Sequence, residues 1–356
     1  MSLLDASKSR QGCSSICLAL LLVSLCLSAC ADDALPKNWK TECVGRYTIS
    51  LPGEVEYALV SIPSILEQNA SGSYRFKDGQ VANYVDVNVG GPLFVSPNVS
   101  QADFDELRGN LAARMSKRKK EIERQSGKAA ADAMQTIGMP DASSYFLKAG
   151  TSYVGAYLFR DKKIYYWSAN GSDETSPQNL QLLELFKTNF RTRSAFDTPQ
   201  QNGICIPYGF IADDGKQPRH VAVSMRLKEH PDVTVFFQDS SNKAPGNRSA
   251  TEQIEQIWQY WYRDKAKSVA LGFPMTHFTQ IAGRIGKSSF GEMINNDGTA
   301  DYGYVAAVEA ESGAKTDTPN LVITVIRTAA NTKGTPTSEK ELKDLAQKIA
   351  VSIKRR

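Results

Sequence analysis

TECVGRYTISLP (residues 41–52) and GICIPYGFIADD (residues 203–214) open the two halves of this chain in the same manner. Each carries one cysteine, Cys43 or Cys205, near the head of an apolar, aromatic-containing run preceded by a polar stretch. Such runs have the composition of strands laid against a core. The order of elements downstream of each opening repeats as well. After the first, Ser100 and Asp103 are placed for a reciprocal helix cap, and Phe104, Leu107, Leu111 and Met115 recur at helical spacing. After the second, Ser249 and Glu252 form a capping box ahead of Ile254, Ile257, Trp258 and Trp261.

Each half then closes on another helix. Ser176-Pro177 starts one, with proline where its missing N–H costs little, and Leu180, Leu183, Phe186 and Phe190 share a face. Ser338 and Glu341 start the other, ahead of Leu342, Leu345, Ile349 and Ile353. Between the paired helices lie runs rich in β-branched and aromatic residues. In the first half these are Ser144–Leu147, Tyr153–Phe159 and Lys163–Ala169, with Arg160-Asp161-Lys162 as a turn. In the second they are Gln280–Ile285, Phe290–Asn295, Tyr302–Glu309 and Leu321–Arg327, with a turn at Asn296-Asp297-Gly298. The pattern predicts an α+β protein of two related domains, 41–195 and 203–356, each an antiparallel sheet with a central and a C-terminal helix. Thr198-Pro199-Gln200-Gln201-Asn202 falls in the expected linker.

The first forty residues read differently. Lys8 and Arg10 precede an apolar run from Ile16 to Leu27, the length of a removable signal rather than of a spanning helix. Its end, Leu27-Ser28-Ala29-Cys30, resembles the lipobox of bacterial lipoproteins. That resemblance implies cleavage after residue 29, a lipid on Cys30, and a tether over residues 30–40. Ala31 in place of aspartate favours the outer membrane, although Asp32 comes directly after it. The alternative is that Ala29-Cys30-Ala31 is an ordinary signal-peptidase site and the protein is released soluble. Cys13, Cys17 and Cys26 leave with the signal, so Cys43 and Cys205 remain in an oxidising compartment. One disulfide is the simpler expectation, and two buried unpaired thiols are the alternative.

Chemistry is sparse. With 42 basic against 38 acidic residues, the charge balance gives no reason to expect nucleic acid, and Lys117–Lys120 reads as a solvated helix face. His220, His230 and His277 make no zinc-binding pair, and His220 and His230 read as exposed loop or strand-edge residues. No G-x-S-x-G elbow occurs, and GRIGKSS from Gly283 is too short to wrap a phosphate. The adjacent acids Asp213-Asp214 read as solvated. No metal and no cofactor are expected. The aromatic helix QIWQYWYRDK offers Trp258 and Trp261 to a core, while Tyr260, Tyr262 and Arg263 have the composition of a partner anchor.

The signal and lipobox, then WKTECVGRYTISLP, then NGICIPYGFIADD, together resemble the two-domain immunity proteins of type VI secretion lipase effectors, in particular the fourth class. The resemblance spans the mature chain, one family domain per half. It implies a periplasmic, non-enzymatic binder of a cognate phospholipase effector, tethered to membrane through its lipid and requiring no cofactor. It transfers no interface residue. Two other classes stay open on the sequence: an outer-membrane lipoprotein serving as envelope scaffold or assembly factor, and a periplasmic hydrolase.

Overall fold

Odd and even positions along the strand Lys163–Asn170 go to different cores. Ile164 and Tyr166 pack with Phe104, Leu107 and Leu111, whereas Tyr165, Trp167 and Ala169 pack with Leu183 and Phe186. This period-two partition, imposed by the pleat, sets the layer order around this strand's sheet. The computed structural model describes residues 35–67, 74–82, 84–128, 134–136, 141–149, 153–171, 176–241, 248–264, 267–311, 316–332 and 334–356. The expected signal segment and Cys30 lie outside them.

The described helices are α1 (Ile62–Glu67), α2 (Gln101–Ser126), α3 (Ser176–Asn189), α4 (Ala250–Asp264) and α5 (Glu339–Val351). Three start at the reciprocal caps expected from the sequence. Ser100 Oγ accepts from the Asp103 N–H while the Asp103 carboxylate accepts from the Ser100 N–H. Ser249 with Glu252, and Ser338 with Glu341, do the same. Each cap satisfies N–H groups that have no partner within the helix.

A five-stranded antiparallel sheet runs Leu93–Val95, Lys163–Asn170, Tyr153–Arg160, Ser144–Ala149, Met134–Thr136. Asp161 and Lys162, both at positive φ, close its central hairpin. Helix α2 covers one face of this sheet and α3 the other. A nine-stranded antiparallel sheet is built on the same plan. Its path is Ser268–Leu271, Arg284–Ile294, Ala300–Val308, Asn320–Arg327, Val233–Ser240, His220–Leu227, Val55–Tyr57, with His277–Ile281 also on Arg284–Ile294 and Asp86–Asn88 also on His220–Leu227. Helix α4 covers the face carrying Ala222, Phe236, Val305, Ala307 and Val322. Helix α5 covers the opposite face, with Val223, Val235, Phe237, Tyr304, Ala306 and Ile323. The protein is thus α+β, with mostly antiparallel sheets and few helices.

The faces under α3 and α5 belong to one continuous core, which also takes in Val44, Tyr47, Ile49 and Leu51. Strands Val55–Tyr57 and Asp86–Asn88, from the first half of the sequence, complete the edge of the large sheet in the second. Strand Lys354–Arg355 in turn pairs with Tyr47–Pro52. Asn38–Arg356 pack as one compact unit. The repeated element order is present, but contacts cross the 195/203 boundary throughout.

Three sequence expectations need correcting. Gln280–Ile285 is not one strand: Ala282 and Gly283 take positive φ and turn the chain between His277–Ile281 and Arg284–Ile294. The segment 198–202 is not a loose connector, since Arg356 donates to the carbonyls of Pro199, Gln201 and Gly203. Thirdly, the central strands His220–Leu227 and Val233–Ser240 are absent from the expected strands, although His220 does stand at a strand end and His230 in the turn between the two.

Trp258 and Trp261 of α4 meet edge to face, with ring centroids 5.0 Å apart. They fit because the paired strands beneath them carry Gly291 opposite Gly303. A Cβ at Gly291 would come within 2.6 Å of Leu271 Cδ2 and 3.0 Å of Trp258 Cη2. Gly291→Val is therefore expected to cost about 1–3 kcal/mol through overpacking. Urea unfolding followed by tryptophan fluorescence measures it, and an unshifted midpoint would refute the packing argument.

Candidate functional site at the junction of the two halves

Glu42 and Arg46 flank Cys43 inside a strand-forming stretch, so turning their neighbours inward takes both charges inward as well. Each finds a counter-ion from beyond residue 190. Arg193 Nη1 meets Glu42 Oε1 at 2.6 Å, with both side chains almost fully buried. The remaining atoms of the pair are also satisfied. Glu42 accepts from the N–H groups of Cys43 (2.7 Å) and Phe196 (2.8 Å). Arg193 donates to the carbonyls of Cys43 (2.7 Å), Gly209 (3.2 Å) and Ile206 (3.3 Å). Burial opposes the charge on Arg193, but Tyr57 and the Glu42 carboxylate outweigh it and leave its pKa above the ordinary value.

Two further buried pairs continue the seam. Arg46 binds Asp213 through both terminal nitrogens, at 2.7 and 2.5 Å. Asp213 is therefore not the solvated turn acid expected from the sequence. Arg219 Nε meets Asp239 Oδ2 at 2.5 Å, and the Arg46 N–H donates to the same oxygen at 2.9 Å. That approach needs Gly45, which sits at φ +60°, because a Cβ there would collide with the Asp239 carboxylate. Beside these pairs Cys43 and Cys205 are joined by a disulfide, with Cα atoms 5.7 Å apart, and pack on Phe210.

Two clefts open along this junction, each lined from both halves of the sequence. The larger, about 470 Å³, is bounded by Asp161, Lys163 and Tyr165, by Thr192, Arg193, Ser194, Ala195 and Asp197, and by Tyr208. Tyr165 donates to the Tyr208 carbonyl at 2.8 Å, and the Lys163 ammonium sits 4.5 Å from the Tyr208 ring centroid. Burial first, then Lys77, pulls the Lys163 pKa down against the opposing pull of Asp161. The smaller, about 240 Å³, is mainly apolar: Val89, Leu182, Leu185, Phe186, Ile211 and Pro218 line it with Asn88, Gly90 and Gln217. One cleft suits a polar peptide segment, the other an apolar side chain.

The proposed anchors lie elsewhere. Tyr260 is on α4 and 41% exposed, while the side chains of Tyr262 and Arg263 are outside the described residues. Among the described residues no group of three or more His, Cys, Asp or Glu could hold a metal. One serine–histidine–carboxylate order does occur. His220 Nδ1 lies 2.9 Å from Ser240 Oγ, and His220 Nε2 lies 3.6 Å from Asp86 Oδ2. Ser240 is buried within the sheet and neither cleft reaches it, so it offers no nucleophile to a substrate.

His220 is not the exposed filler expected from the sequence. Burial lowers its pKa below 6.5, against the opposing pull of Asp86 and Asp239. The unfolded chain then takes up more protons than the folded one between the lowered pKa and 6.5, so stability falls as pH drops through that window. His220→Gln is expected to flatten the dependence of the urea midpoint on pH below 6.5. A variant that keeps the wild-type slope would show that His220 does not cause it.

Sequence reasoning misses Glu42, Arg46, Arg193, Asp213, Arg219 and Asp239. The available signal is a charge lodged within an apolar run, visible at Glu42 and Arg46.

Comparisons with known proteins bear on this frame. Residues 197–356 match the Tle cognate immunity protein 4 C-terminal domain. No protein of curated function matches the chain. Among solved structures, the apo form of the immunity protein TplEi of the type VI secretion system from Pseudomonas aeruginosa is similar, at 18% identity and a TM-score of 0.59 over 90% of this chain and 98% of that one. A chain of the Tle4–Tli4 complex is similar at 19% identity and a TM-score of 0.59, over the same shares. At that identity the likeness speaks for the fold, and it runs through both halves. What the family match itself covers is residues 197–356, somewhat less than half of the chain.

Proposed function

We propose that this protein is a periplasmic immunity protein that binds a type VI secretion phospholipase effector and keeps it from cutting the lipids of its own cell. The observation that carries this reading is the family match over residues 197–356. The fold shared with TplEi and with a chain of the Tle4–Tli4 complex supports it. The protein acts by binding, without cofactor or turnover. The effector is gripped across the junction, where the two clefts draw their walls from both halves. Acylation at Cys30 tethers the inhibitor to the outer membrane and raises its local concentration where lipid is attacked.

The test is a rescue. The lipase encoded beside this gene is directed to the periplasm of a susceptible host, with and without this protein. Survival only when both are exported is the expected result. Death in both cases, with this protein folded and exported, would sink the pairing. Tyr260→Ala is expected to weaken binding of that lipase by about fivefold or more, read by titration calorimetry, as for an aromatic anchor at an interface. An unchanged Kd would remove Tyr260 from the interface.

A further inference from the structure

The border of the large sheet carries apolar side chains that the fold does not use. Phe273 is fully exposed between strands Ser268–Leu271 and His277–Ile281, Phe278 is 77% exposed and Ile285 is 78% exposed. Phe278 pairs with Lys287 and Gln280 with Ile285 across the hairpin, so Phe278, Lys287 and Ile285 share a face. The Lys287 ammonium lies over the Phe278 ring, 3.4 Å from its centroid. These residues protrude from a sheet border instead of lining a groove.

Along the hairpin's own sequence the charge has one sign. From residue 265 to residue 291 the sequence contains no aspartate or glutamate, against Lys265, Lys267, Arg284 and Lys287. The chain as a whole nearly balances, at +4 overall. Arg284 donates to the backbone carbonyls of Pro319 (2.6 Å) and Glu309, and among the described residues no carboxylate forms an ion pair with Lys267, Arg284 or Lys287. A surface that takes protruding aromatic and aliphatic groups while meeting cations with negative charge has the chemistry of an anionic bilayer interface.

We propose that the hairpin region 272–287 docks this protein on anionic phospholipid membrane, with Phe273, Phe278 and Ile285 entering the interface and Lys287 meeting phosphate headgroups. The contact is separate from any acyl tether, and it fixes which side of the domain faces the bilayer. A bilayer fits better than a protein partner because the apolar groups stand exposed at a sheet border. Protein anchors are instead held in packed, desolvated pockets.

The test uses residues 38–356, which hold every described strand and helix, the shared core and the disulfide, and which carry no acylation site. Sedimentation is measured with vesicles of phosphatidylethanolamine alone and of phosphatidylethanolamine mixed with phosphatidylglycerol. The expected result is binding to the mixed vesicles that weakens as salt is raised. It should fall about tenfold or more in F273S/F278S/I285S, and also fall in K287E, with circular dichroism confirming that both variants fold. No binding by the unsubstituted protein would overturn the proposal. So would binding that survives the triple substitution, which would assign it to another basic surface such as Lys117–Lys120. If the triple variant loses its lipase while the unsubstituted protein ignores vesicles, the patch belongs to a protein partner and the membrane reading is overturned. Vesicle binding requires no effector, so failure of the immunity reading leaves this test intact.

Discussion

Replacing Arg193 with alanine is expected to destabilise the protein by about 3–5 kcal/mol, because it strands a charge in the interior. Glu42 is fully buried, and its counter-ion at 2.6 Å is Arg193. Without the guanidinium, the carboxylate keeps two N–H donors but no positive charge, and the carbonyls of Cys43, Ile206 and Gly209 lose a shared donor. The double substitution E42Q/R193M is expected to recover part of the loss, since removing both charges removes most of the desolvation cost. Urea midpoints of the two single variants and the double variant close the cycle. A double variant whose loss equals the sum of the singles would show that the pair is not coupled. Because Arg193 belongs to the junction and Glu42 to the first strand, the same variants should also loosen the walls of the polar cleft.

The second large effect concerns the disulfide. Cys43 and Cys205 are 162 residues apart in sequence. In the chain-entropy picture, closing so long a loop restricts the unfolded ensemble enough to contribute about 5 kcal/mol, the upper end of the usual range. C43A/C205A, or reduction under denaturant, is expected to lower stability by about 2–5 kcal/mol. A change below about 0.5 kcal/mol, the range of ordinary surface substitutions, would refute the cross-link as a stabiliser. The two effects should not add. Arg193 donates to the carbonyl of Cys43, so the charge pair and the cross-link hold the same strand in place.

Helices and caps were legible in the sequence because they are local. Ser100 with Asp103 and Ser338 with Glu341 report their own hydrogen bonds three residues away, and the buried faces of α2 and α5 come from spacing alone. Hairpins were legible for the same reason, as at Asp161-Lys162. What a face packs against is another matter. The alternation in Tyr153–Arg160 tells that both faces are buried, but not that one of them meets the core under α5. Short edge strands such as Val55–Tyr57 have too few residues to show a period, yet they join the halves. The buried charges at Arg193 and Asp213 were illegible because their partners, Glu42 and Arg46, lie more than 150 residues away, and a lone charge reads as solvated until its partner is seen. For the partner surface, composition picked out the tyrosines on α4 and passed over both clefts, which exist only once distant segments meet.

The pairing of Tyr47–Pro52 with Lys354–Arg355 also sets a timetable. The Ser50 N–H donates to Ser352 Oγ, a hydroxyl made 302 residues later in the chain. At about 5–20 residues per second, the ribosome needs roughly 15–60 s to make that partner. For that interval the strand opening the fold has its hairpin neighbour on one side and an empty edge on the other. The shared core, which takes its last helix from α5, stays incomplete just as long. Closure of that core therefore follows completion of the chain, whereas the core under α2, built wholly from residues 58–166, has no such wait.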